Sequence, residues 1–454
     1  MLTYTLKKEP GLPLYEALYR CIRDDILSGR LSAGEKLPSK RTLCTHLKVS
    51  KITVEGAYNQ LLAEGYIRSE EKVGYFVEAV EHTPSQLRQW DAPAEESDGC
   101  IDLTANGPAH FPFSVWSRLQ RQVMLDMGEK LLLPLHNQGV WELRQAIARH
   151  LADFRGMRVE PNQIVVGAGT DFLYNLLIQL LGPNMGYAVE EPGYSKIRKV
   201  YAAAGVSCAS AVMDIQGVLP ESLGTARVLH ISPSHHFPTG LVTPLNRRME
   251  LLAWARQQAD RWIIEDDYDS EFRFAAHPLP AMQSLDSHKV IYMNTFSKSL
   301  APSIRISYMV LPPVLMDRFQ RKLGCYSCTV SSFEQYTLAR FLDTGHFEKH
   351  INRMRKFYKA RRNRVVAAIT QCPLSKELTI LEENAGLHFL LQVALSLSAE
   401  EVAERFLKAG IRVRSLDSYY HKVAPDWAKQ CLVVNYSGLS DEQAQQLELR
   451  LGRL

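Results

Sequence analysis

No stretch of the 454-residue chain offers the roughly eighteen consecutive apolar residues that a bilayer-spanning helix needs. The longest candidate, GLHFLLQVALSL from Gly386, is too short, so no membrane partner is expected. The opening MLTYTLKKEPGLP has no apolar signal core, and a cytoplasmic location is the expectation. A strong excess of one charge is also missing. Fifty-three basic against forty-nine acidic side chains leave +4, spread along the chain, which permits a nucleic-acid partner without requiring one. The eight cysteines (21, 44, 100, 208, 325, 328, 372 and 431) are scattered and form no disulfide framework, as suits a reducing compartment. Cys325 and Cys328 form a single CxxC with no second pair and no histidine at ligand spacing, and no metal site is expected. What the chain does have is 46% hydrophobic and 22% charged residues, typical of a globular protein. Its length suits either a small domain plus a large one or two of similar size.

The first eighty residues are organised differently from the rest. Leu14, Ala17, Leu18, Cys21, Ile22 and Ile26 recur at helical spacing, and Gly29 supplies a stop. Ser39 can cap a short helix carrying Leu43 and Leu47. After a tight link at Lys48-Val49, Ser50 can cap a third helix with Val54, Ala57, Tyr58, Leu61 and Leu62 on its buried face. Two short helices with so brief a connector make a helix-turn-helix candidate, and GYIRSEEKVGYFVEAV reads as strand, turn and strand, with Gly74 near the turn. Between Lys36 and Lys51 lie five basic residues, with His46 and no acid. The third helix begins with Lys51, Thr53, Glu55 and Gly56 on its outward side, where small or polar groups can reach base edges, while Lys40, Arg41 and Lys72 suit phosphates. The same residues also fit a solvated basic face on a small helical domain, and composition leaves both readings open.

KLPSKRTLCTHLKVSKITVEGAYNQLLAEGYI closely resembles the winged helix-turn-helix of the GntR family of bacterial repressors. The resemblance implies DNA contacts from Arg41, Lys51 and Thr53 and from a wing glycine placed at Gly74. The usual wing carries two glycines around a small residue; here Lys72 and Val73 stand in that region. The head is expected over 1–78, and the Pro-, Glu- and Ser-rich stretch that follows reads as a linker, 79–100.

From 101 to 454 short apolar strands alternate with helical stretches, which predicts an α/β domain with a mostly parallel sheet. Ligands gather at the C-terminal strand ends of such sheets. There the chain places Gly169-Thr170, Pro238-Thr239-Gly240, Asp266 and Thr295 to Lys298. A glycine-rich turn entering a helix presents N–H groups to a phosphate, and Thr295, Ser297 and Arg305 add hydroxyls and one fixed positive charge. A lysine desolvated beside a cation has a depressed pKa, so the Lys298 amine can form a Schiff base with an aldehyde. Asp266 can keep a pyridine nitrogen protonated. Taken singly, each element has an ordinary reading: a common strand-to-helix turn, a helix cap, a chance Ser-Lys pair. Their order along one chain matches the needs of pyridoxal phosphate.

QGVWELRQAIARHLADFRGMRVEPNQIVVGAG, VEEPGY, HFPTG, IIEDDYDSEF and TFSKSLAPSIRISYMV together resemble the fold-type I aminotransferases. The resemblance implies Lys298 as the Schiff-base lysine, Asp266 on the ring nitrogen, Tyr268 on the ring hydroxyl and Tyr194 stacked on the ring. It also places Gly169, Thr170, Thr295, Ser297 and Arg305 on the phosphate. With the GntR head, the EDDYDSEF form is most similar to the MocR subgroup of regulators, which implies a homodimer. Three departures bear on activity. Val433, in CLVVNYSG, stands where such enzymes carry a carboxylate-binding arginine; Phe237 replaces an asparagine; and LPLHNQG lacks a tyrosine. The cofactor grip thus looks retained and the amino-acid grip weakened. Three readings follow: a regulator whose effector is pyridoxal phosphate itself, controlling vitamin B6 synthesis or salvage; a regulator answering an amino acid or amine by transaldimination, with Lys196 and Arg198 replacing the arginine; or a working aminotransferase. The first is the expectation, with at most residual transaminase activity.

Overall fold

The computed structural model describes residues 13–71, 73–79, 99–105, 110–272, 279–382, 386–394 and 396–453, together with Leu2 and Tyr4. Lys72 and most of the expected linker, 80–98, lie outside the described residues. The chain divides into two compact units, Met1–Glu96 and Ser97–Leu454.

In the first unit the helix Leu14–Leu27 buries Leu18, Tyr19, Ile22 and Ile26. The helix Lys40–Leu47 starts where the Ser39 hydroxyl accepts from the Thr42 N–H at 3.1 Å. It ends at Lys48, whose left-handed φ of 55° reverses the chain within one residue. Ser50 repeats the device for the helix Lys51–Ala63, accepting from the Thr53 N–H at 3.2 Å. Each such cap contributes about 1 kcal/mol. The strands Ile67–Glu70 and Gly74–Val77 form an antiparallel hairpin, to which Lys36–Leu37 adds a third strand. Leu18, Ile22, Leu43, Val54, Tyr58, Leu61, Ile67 and Val77 join helices and hairpin in one core. One expectation is corrected here. Gly56, placed on the outward side from its spacing, packs against the first helix, and a Cβ there would lie 3.1 Å from Tyr15 Cγ. Close helix crossing, which only a small residue permits, accounts for that glycine.

The second unit is built on an eight-stranded sheet. Its spatial order is Ile164–Gly167, Ser307–Val310, Val290–Thr295, Trp262–Asp266, Val228–Ile231, Tyr187–Glu191, Cys208–Asp214 and Gly217–Val218. Five successive strands, from Val290–Thr295 to Cys208–Asp214, run parallel. Ser307–Val310 is antiparallel to both of its neighbours. The central strands are buried on both faces, so they open on apolar runs that show no alternation, and turn polar only at their C-terminal ends. The helix Thr170–Leu181 lays Leu173 and Leu177 over Val165, Ile264, Ile291 and Met309. Each such side chain contributes about 1.5–3 kcal/mol by burial. A smaller antiparallel sheet, Leu378–Leu381, His388–Val393, Cys431–Asn435 and Arg414–Ser415, completes the unit. No helix among the described residues is long and apolar enough to cross a membrane.

Candidate functional site

Two parallel neighbours in the sheet, Trp262–Asp266 and Val290–Thr295, end side by side, with Asp266 in register with Met293. That register brings the carboxylate of Asp266 and the segment carrying Lys298 to the same edge. Asp266 is buried, and its Oδ2 accepts from the Tyr174 hydroxyl at 2.5 Å and lies 3.5 Å from His230 Nε2. Its Oδ1 is buried with no hydrogen-bond partner. A buried carboxylate oxygen left bare costs on the order of 1–3 kcal/mol or more, so the atom is suited to a donor brought in by a ligand. Burial lowers the Lys298 ammonium to a pKa of about 8, with the negative charge of Asp269 opposing the shift. The amine lies 6.0 Å from the centre of the Tyr268 ring. The Tyr268 hydroxyl is 3.4 Å from His235 Nδ1, which itself pairs with Asp269 Oδ2 at 2.7 Å.

A second cluster forms where the helix Thr170–Leu181 begins. Gly169, at φ +90°, precedes it, and a Cβ there would meet Arg305 Nη2 at 2.4 Å, so the glycine makes room for the guanidinium. Arg305 pairs with Asp171 at 3.1 Å, and Lys196 reaches the same carboxylate at 2.7 Å. Burial works against the Asp171 charge, yet the hydrogen bonds from Lys196 and Arg305 hold its carboxyl below the usual range. Thr295 Oγ1 accepts from the Ser297 N–H at 3.1 Å and from Ser307 Oγ at 2.8 Å. Ser297 Oγ is buried without a partner. Backbone N–H groups at a helix start, two hydroxyl side chains and a guanidinium make an anion cradle.

Between these clusters and the small sheet stands an aromatic wall. Phe237 meets Tyr194 edge-on at 5.7 Å, Tyr419 at 5.3 Å and His388 at 5.0 Å, and His388 lies 4.6 Å from His235. Burial, with the charges of His235 and Lys298, keeps His388 neutral, its pKa well below the ordinary value. Tyr194, His230 and Tyr419 line one cavity. Arg198 lines it too, but its guanidinium is engaged by Glu191 Oε2 at 2.8 Å, Ser210 Oγ at 2.9 Å and the Cys208 carbonyl at 2.9 Å. Both proposed replacements for the arginine, Lys196 and Arg198, are therefore already paired with acids.

Sequence reasoning did not find Tyr174, His230, His235, Asp269 or His388. Tyr174 sits four residues after Thr170, one helical turn along the same face, and His230 interrupts the apolar strand Val228–Ile231. Those were the available signals. Nothing local marks His388, which the fold delivers from the small sheet.

In the first unit Arg41 and Lys51 are exposed, with Lys51 3.6 Å from Glu55, and Lys40 places its ammonium 5.2 Å from the Tyr75 ring centre. Thr53 Oγ1 lies 2.8 Å from Ser50 Oγ. Gly74 approaches Lys36, whose Cε would stand 3.0 Å from an added Cβ.

A helix-turn-helix head joined to an aminotransferase-type sheet defines a two-part class of protein. Residues 14–77 match the bacterial regulatory proteins of the gntR family, and residues 98–451 match the class I and II aminotransferases. The HTH-type transcriptional regulator YdeL of Bacillus subtilis, described as uncharacterized, is 38% identical over 97% of this chain and 96% of its own. The probable rhizopine catabolism regulatory protein MocR of Rhizobium meliloti is 32% identical over 96% and 92%. The pyridoxine biosynthesis transcriptional regulator PdxR of Corynebacterium glutamicum is 30% identical over 89% and 88%. In fold, the multiple substrate aminotransferase of Thermococcus profundus superposes with a TM-score of 0.68 at 23% identity, over 79% of this chain and 91% of that one. The chain belongs to the GntR family of bacterial regulators, in its MocR subgroup, and is a transcriptional regulator with an aminotransferase-like domain. Its GntR head implies DNA binding.

Proposed function

We propose that the large domain binds pyridoxal phosphate and that this ligand is itself the effector controlling promoter binding by the head, at genes of vitamin B6 synthesis or salvage. The observation that carries the reading is the buried, unpartnered Oδ1 of Asp266, held at the strand edge that also carries a lysine whose pKa is lowered to about 8. The residues fit the group. Asp266 offers a bare acceptor for a pyridinium N–H, and Ser297 offers a bare hydroxyl beside Gly169, Thr170, Thr295 and Arg305 for the phosphate. Tyr194 flanks the cavity and Tyr268 stands near the amine. Pyridoxal phosphate brings an aldehyde that an unprotonated amine captures covalently, and a ring that withdraws electrons. Lys298 supplies that amine, and Asp266 with Tyr174 and His230 holds a proton on the facing nitrogen. The name of the PdxR relative supports the link to B6 genes. Val433 speaks against sustained transamination, since the strand Cys431–Asn435 offers an aliphatic side chain where the related enzymes carry a carboxylate clamp.

In the head, Arg41, Lys51, Thr53 and Gly74 are the proposed DNA contacts, with Lys40 and Lys72 on phosphates. As a homodimer the protein would present two heads to paired half-sites. Ligand can alter DNA affinity only through unequal affinity for the two conformations. The test titrates cofactor-free protein and Lys298→Ala with pyridoxal phosphate alone, recording absorbance and operator affinity on the same samples. The reading expects both signals to change together in the wild type and neither in the variant. An absorbance change with constant DNA affinity, until an amine is added, would move the effector role to the amine.

A further inference from the structure

The strands Val228–Ile231 and Trp262–Asp266 are parallel neighbours. The segments that leave them bring together His235, from the first, and Tyr268 and Asp269, from the second. His235 Nδ1 lies 2.7 Å from Asp269 Oδ2, and both side chains are only 3% exposed. A carboxylate accepts and does not donate, so the proton between them sits on Nδ1, whether the ring is neutral or charged. Nothing draws that proton to the other side of the ring, since His235 Nε2 is buried with no hydrogen-bond partner. The ring is also held in place. The backbone at Gly386 passes so close that a Cβ there would collide with His235 Cε1, and His388 packs against the ring with centres 4.6 Å apart.

The consequence falls on Tyr268. Its hydroxyl stands 3.4 Å from the same Nδ1, a nitrogen that already carries a proton and cannot accept a second. The phenolic proton is thus kept for another acceptor. The ring that bears it lies 6.0 Å from the Lys298 amine, where a captured ligand would present one. We infer that Asp269 is a positioning residue: by fixing the proton on His235 Nδ1, it commits the Tyr268 hydroxyl to donate to an oxygen of the ligand captured at Lys298. This rests on the proposed pyridoxal phosphate site and adds to it two residues that act through Tyr268.

The test follows pyridoxal phosphate binding by absorbance on full-length protein, as an affinity and as the pH midpoint of the bound ligand's spectrum. A donor to the ligand's ring oxygen stabilises the ionised form of that oxygen, so losing the donor moves the midpoint up. Tyr268→Phe should weaken binding about 3- to 30-fold and raise the midpoint. Asp269→Leu, which frees Nδ1 to accept from Tyr268, should do the same. The double variant should fall within about twofold of Tyr268→Phe alone, because both changes remove one interaction. Asp269→Asn loses the charge but keeps an oxygen that can accept from Nδ1, and it should stay within about twofold of the wild type. All of these variants leave in place the other ionisable groups around the tyrosine and the histidine: Asp266, Asp267, Glu190, His236, His388 and Lys298. Additive losses in the double variant, or an Asp269→Asn as weak as Asp269→Leu, overturn the assignment. Should a variant fail to fold, nitrogen NMR spectra of cofactor-free wild type decide the point, with His235 assigned by difference from His235→Gln. A proton on Nδ1 is expected, and a proton on Nε2 alone overturns the inference. A wild type that shows no absorbance change with pyridoxal phosphate overturns the underlying site and this inference with it; a normal wild-type change with additive losses overturns this inference alone.

Discussion

The two sides of the cleft in the large domain are built from opposite materials. On the side of Asp266, Ser297 and Lys298, buried polar atoms wait without partners, and burial holds an amine near neutrality. On the side of Phe237, Tyr419 and Val433, the side chains packed together are aromatic and aliphatic. Unpartnered buried polar groups are costly, so a ligand that satisfies them gains in affinity. On the proposed reading, the contrast separates a grip for a cofactor from a much looser grip on anything that reacts with it.

Replacing Lys298 by alanine should break the first side outright. Covalent capture of pyridoxal phosphate, measured by borohydride reduction and mass analysis, should fall from near-complete to undetectable; persistent labelling at another lysine would move the site. Asp266→Asn comes next. Removing the charge while keeping the shape should weaken pyridoxal phosphate binding by roughly 10- to 100-fold, as expected for a hydrogen bond to a charged group. An absorbance titration checks it.

The pH dependence has a defined sign. The folded-state pKa of Lys298 is lowered to about 8, so its neutral amine prevails above that pH and is lost below it. The rate of capture should climb about tenfold per unit between pH 6 and 8 and then level off. A flat profile would mean that another step limits capture. The shift also makes this lysine's contribution to the stability of cofactor-free protein rise with pH between about 8 and 10.5, where the unfolded chain binds more protons.

Gly169→Ala should act more gently but on both binding and folding. Its φ of +90° and its contact with Arg305 predict a loss of about 1–3 kcal/mol of stability, visible as a lowered Tm. Pyridoxal phosphate affinity should weaken with it. The smallest effect lies in the other unit: Ser50→Ala should cost about 1 kcal/mol through the lost helix cap, with cofactor binding untouched.

How much of this was legible depended on range. Ser39 and Ser50 announce their helices because a cap is a contact over three residues, and the short link at Lys48 could be placed for the same reason. The strands Ile164–Gly167, Trp262–Asp266 and Val290–Thr295 were readable as apolar runs. Gly56 was misread, since nothing in its spacing says that Tyr15 passes close by. The strands Tyr187–Glu191 and Cys208–Asp214 carry mixed patterns and were not singled out as strands. Lys196 and Arg198 looked available because their acids, Asp171 and Glu191, come from other segments.

The sequence by itself determined the helix-turn-helix with its caps, the alternation of strand and helix, and the residue types a phosphate, a pyridine and an aldehyde require. Those are properties of neighbouring residues, set by backbone geometry and side-chain chemistry within a few positions. Only the tertiary structure decided that Asp266 keeps one oxygen bare, that Lys298 is desolvated, and that His235 stands beside Asp269. Each depends on burial or strand register between segments far apart in the chain, and the free energy of a polar atom is fixed by what surrounds it in space.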